Sequence, residues 1–150
     1  MSSRSFCHLH CHSHYSLLDG ANKLPDLVKH VKASGMSAIA VTDHGNMFGA
    51  VEFLREAKYA GVKPIVGIEA YVAPGKRTDR SSSGSGEEKF AYHLTLLAKN
   101  GTGFRNLLRL TSRSYQEGYY YKPRADKELL ARYSEGLICL SGCVGSEFSQ

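Results

Sequence analysis

The stretch from His8 to Gly20 constrains this chain most, because histidines recur there at alternate positions. Phe6–His12 is predicted to be a strand, and alternate side chains of a strand share a face. One face would then carry His8, His10, His12 and His14, and the other Cys7, Leu9 and Cys11. Imidazoles arranged in this way can bind a metal ion, and Asp19 would add an oxygen ligand.

A histidine-rich N-terminus can also be an expression tag or a solvated extension. Tags, however, are consecutive histidines outside the fold, whereas apolar residues fill the alternate positions here. The stretch also leads directly into a core-like pattern. We therefore interpret it as part of a metal site.

The composition is that of an ordinary globular domain. The 150 residues suffice for one core, and 42% hydrophobic with 22% charged residues is typical of soluble chains. No apolar run approaches the roughly 20 residues of a membrane-spanning helix, and the N-terminus lacks the apolar segment of a signal peptide. The sequence therefore predicts a cytoplasmic protein with no membrane contact.

The formal net charge of +5 is compatible with a polyanionic partner such as nucleic acid, although the basic residues are spread along the chain. Small basic groups occur at Lys76, Arg77 and Arg80 and at Lys122 and Arg124. The second group adjoins Tyr119–Tyr121, and aromatics beside cations can stack the bases of a single strand. We favour the alternative that these tyrosines pack over the end of the preceding helix.

The cysteines form two Cys-x3-Cys pairs, which raises the possibility of a four-cysteine zinc site. Strand parity argues against it, because Cys7 and Cys11 would face away from the histidines. We predict that Cys7, Cys11 and Cys139 are small buried apolar residues. Cys143 is a separate case, because it follows a predicted strand.

Helical spacing predicts three long helices and a short one. Their core positions are Leu24, Leu27, Val28 and Val31; Phe48, Val51, Leu54 and Ala57; Phe104, Leu107, Leu108, Thr111 and Tyr115; and, after an Asp126 cap, Leu129, Leu130 and Tyr133. Gly35, Gly61 and Gly118 are predicted to end the long helices. After Phe6–His12, the predicted strands are Met36–Thr42, Val62–Val72, Phe90–Ala98 and Leu137–Leu140, with a surface loop at Ala73–Lys89.

This alternation indicates an α/β chain of parallel strands with outer helices. Polar candidates recur where the strands end: His10 and His12, His44, Glu69 and Cys143. Chemistry gathers at the carboxyl ends of parallel strands, so these side chains are expected to converge. Taken singly, His44 could cap a helix, Glu69 could form an ion pair and Cys143 could lie in the core.

Three motifs resemble those of the PHP (polymerase and histidinol phosphatase) family of metal-dependent phosphoesterases. They are His10-Cys11-His12, Thr42-Asp43-His44-Gly45 and Gly67-Ile68-Glu69-Ala70. Longer stretches resemble the PHP domains at the N-terminus of bacterial DNA polymerase III alpha subunits: residues 15–21, 49–53, 93–99 and 136–143. Only the serine-rich loop lies outside the resemblance, which implies the N-terminal part of a distorted (β/α)7-type barrel.

The resemblance also implies a ligand set. The family's metal ligands correspond to His10, His12, Asp19, His44, Glu69, His93 and Cys143, and the catalytic roles to His12, Asp19 and Glu69. In an all-parallel sheet His93 would lie near the start of its strand, away from the other candidates. The family's late Asp-x-His motif is not in this sequence, and His8 and His14 are neighbours that could tune the site.

The resemblance further implies two or three divalent ions, zinc or manganese, with Glu69 as a bridge. Such a centre hydrolyses phosphodiesters, here as 3′–5′ exonuclease proofreading. The longer parent protein would synthesise DNA with magnesium. Its partners would be primer-template DNA with its 3′ end and other replicase subunits, namely a proofreading exonuclease subunit and a sliding clamp.

Two alternatives remain open: a free-standing phosphatase of the histidinol-phosphatase type, and a metal-bound scaffold that only supports a polymerase. All seven ligands that this part of the family pattern could contain are present, which favours an active site. Because such a barrel usually needs about 250 residues, residues 1–150 are expected to be an incomplete PHP domain. We expect the isolated fragment to be inactive and to aggregate or oligomerise.

Overall fold

The computed structural model describes residues 6–80, 91–142, 146 and 148 of the chain. Four helices and six strands lie within these residues. In chain order they are α1 (Leu24–Ala33), β1 (Ala38–Val41), α2 (Ala50–Ala60), β2 (Lys63–Val72), β3 (Tyr92–Ala98), α3 (Gly101–Glu117), β4 (Tyr119–Tyr120), β5 (Lys122–Ala125), α4 (Lys127–Arg132) and β6 (Leu137–Leu140). Every helix and strand predicted after residue 20 is present, with small shifts at its ends.

Strand β2 is the centre of the sheet. Its first half pairs in parallel with β1, and its second half lies between β5, which is parallel, and β3, which is antiparallel. Strand β6 adds to the far edge of β3, and β4 pairs with β5 as a short hairpin. The predicted α/β class with parallel strands and outer helices is confirmed.

The orientation of β3 differs from the parallel arrangement predicted for it. A parallel return to the sheet requires a crossover, usually a helix. The serine- and glycine-rich sequence between β2 and β3 has no helical pattern that would predict such a crossover, and β3 pairs antiparallel with β2. This reversal places the start of β3 beside the end of β2.

The predicted strand Phe6–His12 is wrong. The segment bends at Leu9 and His10, so its side chains do not alternate between two faces. It nevertheless runs beside β1, because the N–H of Ala40 donates to the His8 carbonyl at 2.8 Å and the N–H of Thr42 to the Cys11 carbonyl at 2.8 Å. The polar groups of this irregular segment are thus partly satisfied by the strand that it covers.

The core consists of two apolar clusters. One joins α1, β1, α2 and the first half of β2 around Leu24, Ile39 and Phe53. The other joins the second half of β2 to β3, α3 and α4 around Ile68 and Leu107. The site described below lies where β2 passes from one cluster to the other.

The core positions predicted for α2 are correct only in its second half, where Ala57 is buried and Leu54 is partly buried against the core. Phe48 precedes the helix and is 65% exposed, and Val51 is 77% exposed. The buried positions in the first half are instead Ala50 and Phe53. In α3, the predicted core positions Leu108 and Tyr115 are likewise on the exposed side.

The cysteine predictions hold only in part. Cys139 is exposed, because β6 is an edge strand with little cover, whereas Cys7 and Cys11 are half-buried. Cys143 lies outside the described residues. Among the helices that the structure describes, none is long and apolar enough to cross a bilayer.

Gly45 allows the β4–β5 hairpin to approach the loop after β1. Its φ is +63°, and a Cβ atom there would lie 2.9 Å from Cγ of Pro123 and 3.0 Å from the Tyr71 ring. Only glycine tolerates both the left-handed backbone and this close approach. The loop, the hairpin and β2 therefore meet at one end of the sheet.

Candidate metal centre

A buried carboxylate, Glu69, lies at the centre of the site. It is near the carboxyl end of β2 and is 3% exposed. His44 follows β1 and pairs with Glu69 across a parallel bridge, so the two strand ends adjoin as predicted. The irregular N-terminal segment contributes His10 and His12, and the beginning of β3 contributes His93.

Four histidine nitrogens approach the Glu69 carboxylate. Its Oε2 atom lies 2.6 Å from Nε2 of His10, 3.0 Å from Nε2 of His12 and 3.7 Å from Nδ1 of His44. Its Oε1 atom lies 2.5 Å from Nδ1 of His93. Residues separated by up to 83 positions in the sequence thus converge on one carboxylate.

Asp19 extends the group towards solvent. Its Oδ2 atom lies 2.7 Å from Nε2 of His44, and its side chain is 57% exposed. The ring of His44 also stacks on that of His12, with centroids 4.2 Å apart and an interplanar angle of 14°. The carboxylates of Asp19 and Glu69 therefore approach His44 from its two ring nitrogens.

The antiparallel course of β3 explains why His93 belongs to this group. In the register of the pair, His93 is opposite Tyr71, two residues beyond Glu69 on β2. The beginning of an antiparallel strand lies at the end of its neighbour. His93 therefore reaches the site because it starts its strand, whereas in a parallel sheet the same position would be remote.

The contact between Glu69 and His12 favours the charged form of both side chains. Burial raises the pKa of the Glu69 carboxyl, but the nearby nitrogens of His12, His93 and His10 lower it further, so the net pKa is well below the ordinary value. The contact with Glu69 raises the pKa of His12, against an opposing effect of burial. Glu69 is therefore ionised at neutral pH.

The donor set fits divalent metal ions. Three groups have ligand atoms within 4.8 Å of one another: His10, His12 and Glu69; His12, Asp19 and His44; and His44, Glu69 and His93. Within the described residues, the buried Nδ1 of His44 has no hydrogen-bond partner. A buried nitrogen left without a partner beside a carboxylate is accounted for if it is a metal ligand.

A buried hydrogen-bond network around Asp43 lies next to the histidines of the site. Asp43 accepts hydrogen bonds from the N–H of Ser13 at 2.7 Å, from its hydroxyl at 2.7 Å and from the hydroxyl of Ser16 at 2.6 Å. The sequence motif contained Asp43, but nothing in its type or spacing identified this role. Ser13 and Ser16 carried no signal at all, because hydroxyls occur everywhere in loops.

Ser16 fixes the orientation of His12. Its single hydroxyl hydrogen is used by Asp43, so its oxygen can only accept, from the N–H of His44 at 3.1 Å and from Nδ1 of His12 at 3.4 Å. Nδ1 of His12 therefore carries a proton, and Nε2 is the atom directed at the site, where it contacts Glu69 and could offer a lone pair to a metal ion.

The other histidines of the first stretch lie elsewhere. His8 packs edge-on against Phe6 at a centroid distance of 4.7 Å, and Nδ1 of His14 lies 3.2 Å from the carbonyl of Asn22. The predicted common face of four histidines is thus wrong, and only His10 and His12 approach Glu69.

Known proteins resemble this chain over its whole length. A family profile described as the PHP domain matches residues 8–150. DNA polymerase III subunit alpha of Borreliella burgdorferi is 58% identical over 97% of this chain and 13% of its own length, and that of Thermus aquaticus is 56% identical over 99% and 12%. The chain thus spans about an eighth of the length of these curated relatives.

A solved structure supports the fold. A Bifidobacterium adolescentis protein described as a metal-dependent phosphoesterase superposes with a TM-score of 0.52 at 17% identity, over 74% of this chain and 33% of its own. The fold, the convergence on Glu69 and the profile match over residues 8–150 lead to one assignment. The chain belongs to the PHP domain family.

Proposed function

We propose that this chain belongs to the N-terminal PHP domain of a bacterial DNA polymerase III alpha subunit and that its site hydrolyses phosphodiesters at the 3′ end of DNA. The observation that carries the proposal is the approach of four histidine nitrogens to the buried Glu69 carboxylate. The identity of more than 50% to alpha subunits supports the polymerase setting. It favours this function over a free-standing phosphatase.

In this proposal the three overlapping groups hold two or three divalent ions, zinc or manganese. The proposed ligands are His10, His12, Asp19, His44, Glu69 and His93, and Cys143 remains a prediction from the family motif. Ions bound there would supply acidification of water and neutralisation of phosphate charge.

The chain's own side chains have distinct proposed roles. Glu69, buried and ionised, belongs to two of the three groups and would help to hold the ions of both. His12 presents Nε2 because Ser16 holds its Nδ1 proton. Asp19 is the most exposed carboxylate of the site, so it is placed to orient His44 and to meet a substrate arriving from solvent.

The whole protein would then synthesise DNA in a region outside this chain, with magnesium, in the cytoplasm. Its proposed partners are primer-template DNA, a proofreading exonuclease subunit and a sliding clamp. The scaffold hypothesis differs from this proposal in one respect only, which is whether the metal centre turns over substrate.

The test uses the full-length gene product and a primer with a mismatched 3′ nucleotide. We expect manganese- or zinc-dependent removal of that nucleotide, and His12→Ala should abolish removal while leaving primer extension largely intact. His8→Ala is the matched control, because His8 lies in the same segment but packs on Phe6. Extension without any nuclease activity in the metal-loaded protein would leave the scaffold, whereas turnover of a small phosphate ester without extension would indicate the phosphatase.

A further inference from the structure

A row of exposed aromatic rings begins beside the metal centre. It consists of Phe48, Tyr115 and Tyr119, which are 65%, 36% and 51% exposed. The centroids of Phe48 and Tyr115 are 6.0 Å apart, and those of Tyr115 and Tyr119 are 6.2 Å apart with an interplanar angle of 25°. We refer to these three residues as the aromatic row.

Tyr71 adds an aromatic face at the metal centre itself. Its ring stacks on His44 at 5.9 Å and meets His93 edge-on at 5.1 Å. The ammonium of Lys122 lies over the Tyr71 ring, 5.5 Å from its centroid. Phe48, the first member of the row, follows His44 by four residues in the same loop. A cation and a set of aromatic faces thus adjoin the histidines.

Local packing explains only part of this arrangement. Tyr119 does pack on Tyr115 in the last turn of α3, as the sequence predicted, but both rings remain substantially exposed. Tyr59, an exposed aromatic residue of α2, has no ring contact of this kind in the described part of the chain. A contiguous exposed aromatic surface is unusual for a protein without a ligand there.

The charges around the row favour a polyanion. Lys122 is exposed and forms no ion pair with any described residue, and Arg80 donates to the carbonyl of Tyr119. The nearest acid of α3, Glu117, is already paired with Arg77 and Arg113. A row of rings beside a cation that has no ion pair among the described residues, as Lys122 here, is the composition that binds single-stranded nucleic acid.

We propose that the aromatic row and Lys122 bind the unpaired 3′-terminal segment of a DNA strand and lead it into the metal centre. Bases would stack on the row, and Lys122 would contact a backbone phosphate close to the histidines. This inference rests on the proposed function and adds a selectivity to it. Paired bases cannot stack on protein rings, so frayed or mismatched ends would be preferred.

The kinetic test uses the full-length gene product with two substrates. The double variant Tyr115→Leu/Tyr119→Leu should raise KM for 3′ nucleotide removal from a single-stranded oligonucleotide about tenfold, with kcat little changed. Hydrolysis of bis(p-nitrophenyl) phosphate, which is too small to reach the row, should be unaffected. Lys122→Gln should raise KM and reduce its salt dependence. Tyr59→Leu is the control.

A cross-linking test does not depend on variants that fold. Oligonucleotides carrying 5-iododeoxyuridine at single positions near the 3′ end would be irradiated with the wild-type protein, and the adducts mapped by mass spectrometry. We expect adducts on Tyr115, Tyr119 or Phe48 from positions a few nucleotides inside the terminus. Adducts only elsewhere, or an unchanged KM in the double variant, would overturn the proposal.

The two proposals can fail separately. If no preparation hydrolysed bis(p-nitrophenyl) phosphate, the proposed phosphoesterase activity would be refuted, but adducts on the row would still support strand binding. Normal hydrolysis of this small substrate with no adducts on the row would refute strand binding alone. In that case the row would be a contact surface for another part of the protein.

Discussion

Glu69 and Asp126 are two buried carboxylates at the same end of the sheet, and their surroundings differ. Glu69 is near the end of β2, and Asp126 follows β5, whose Ala125 pairs with Val72 of β2. They are 3% and 5% exposed. The groups facing Glu69 are imidazoles, whereas those facing Asp126 are a guanidinium and backbone N–H groups.

Asp126 is satisfied by the protein alone. It accepts hydrogen bonds from the Arg77 backbone N–H at 2.9 Å, from the Arg77 guanidinium at 2.9 Å and from the Leu129 N–H, which it caps at 2.9 Å. Arg77 also contacts Glu117 at 2.8 Å and Glu128 at 3.0 Å. The charge of Arg77 is therefore neutralised inside the fold, and Arg77 is not a phosphate ligand.

Glu69 lacks such a permanent partner. Arginine stays protonated at all ordinary pH values, whereas a neutral imidazole offers one N–H and one lone pair. Several imidazoles can therefore satisfy one carboxylate by donating N–H groups, but each can instead turn a lone pair towards a metal ion shared with that carboxylate. The comparison indicates that one carboxylate is satisfied within the fold, whereas the other has partners that could also bind a ligand.

The largest expected effect is on metal binding at Glu69. Glu69→Gln should remove at least one ion per chain from the full-length protein, because it lowers the charge of two of the three ligand groups. The wild type should gain about 2.7 kcal/mol of stability at a metal concentration one hundred times Kd, and the variant should not. Elemental analysis and thermal unfolding with and without manganese measure both effects.

Asp126 should behave in the opposite way. Asp126→Ala is expected to destabilise the protein by about 3 kcal/mol, because it removes the most buried of the three carboxylate partners of Arg77 and also removes a helix cap. The metal content should not change. Glu128→Ala is the matched control, since Glu128 contacts the same arginine but is 70% exposed, and should cost less than about 1 kcal/mol. Chemical denaturation measures these changes, and equal losses in both variants would refute the comparison.

The sequence predicted Glu69 but not the contrast with Asp126. Apolar runs and glycine caps identify helices and strands, and the positions after strand ends identify His44 and Glu69, because these signals are local. The bend at Leu9 and the antiparallel course of β3 depend on long-range hydrogen bonds that no local pattern records. Asp126 was predicted correctly as a cap, but its pairing with Arg77 joins residues 49 positions apart.

A substitution at Ser16 tests the Glu69 site without removing any of its proposed metal ligands. Ser16→Ala removes the oxygen that accepts from Nδ1 of His12 and from the N–H of His44. Metal affinity should fall about tenfold, since the histidine tautomer is no longer fixed. Titration with manganese measures the affinity, and ¹⁵N spectra of the imidazoles report the tautomer. Ser112→Ala, at an exposed helical serine, should change neither.

The smallest expected effect is the loss of stability at acid pH, which tests the role of Asp126. Burial raises the pKa of Asp126, but the N–H groups of Arg77 and Leu129 and the Arg77 guanidinium lower it further, so the net pKa is below the ordinary 3.8. Contacts with Arg77 lower the pKa of Glu117 in the same way, although Glu117 is solvated.

A carboxyl group whose pKa is lowered by folding stabilises the protein above the unfolded pKa of about 4, and this contribution is lost as the pH falls through the folded pKa. The free energy of unfolding should therefore decline below about pH 4, by less than Asp126→Ala costs, because a protonated Asp126 can still accept from both N–H groups. Denaturation of the metal-free protein between pH 3 and 6 measures this decline, which should be shallower in Asp126→Asn; equal slopes in the two proteins would mean that Asp126 is not the group that titrates.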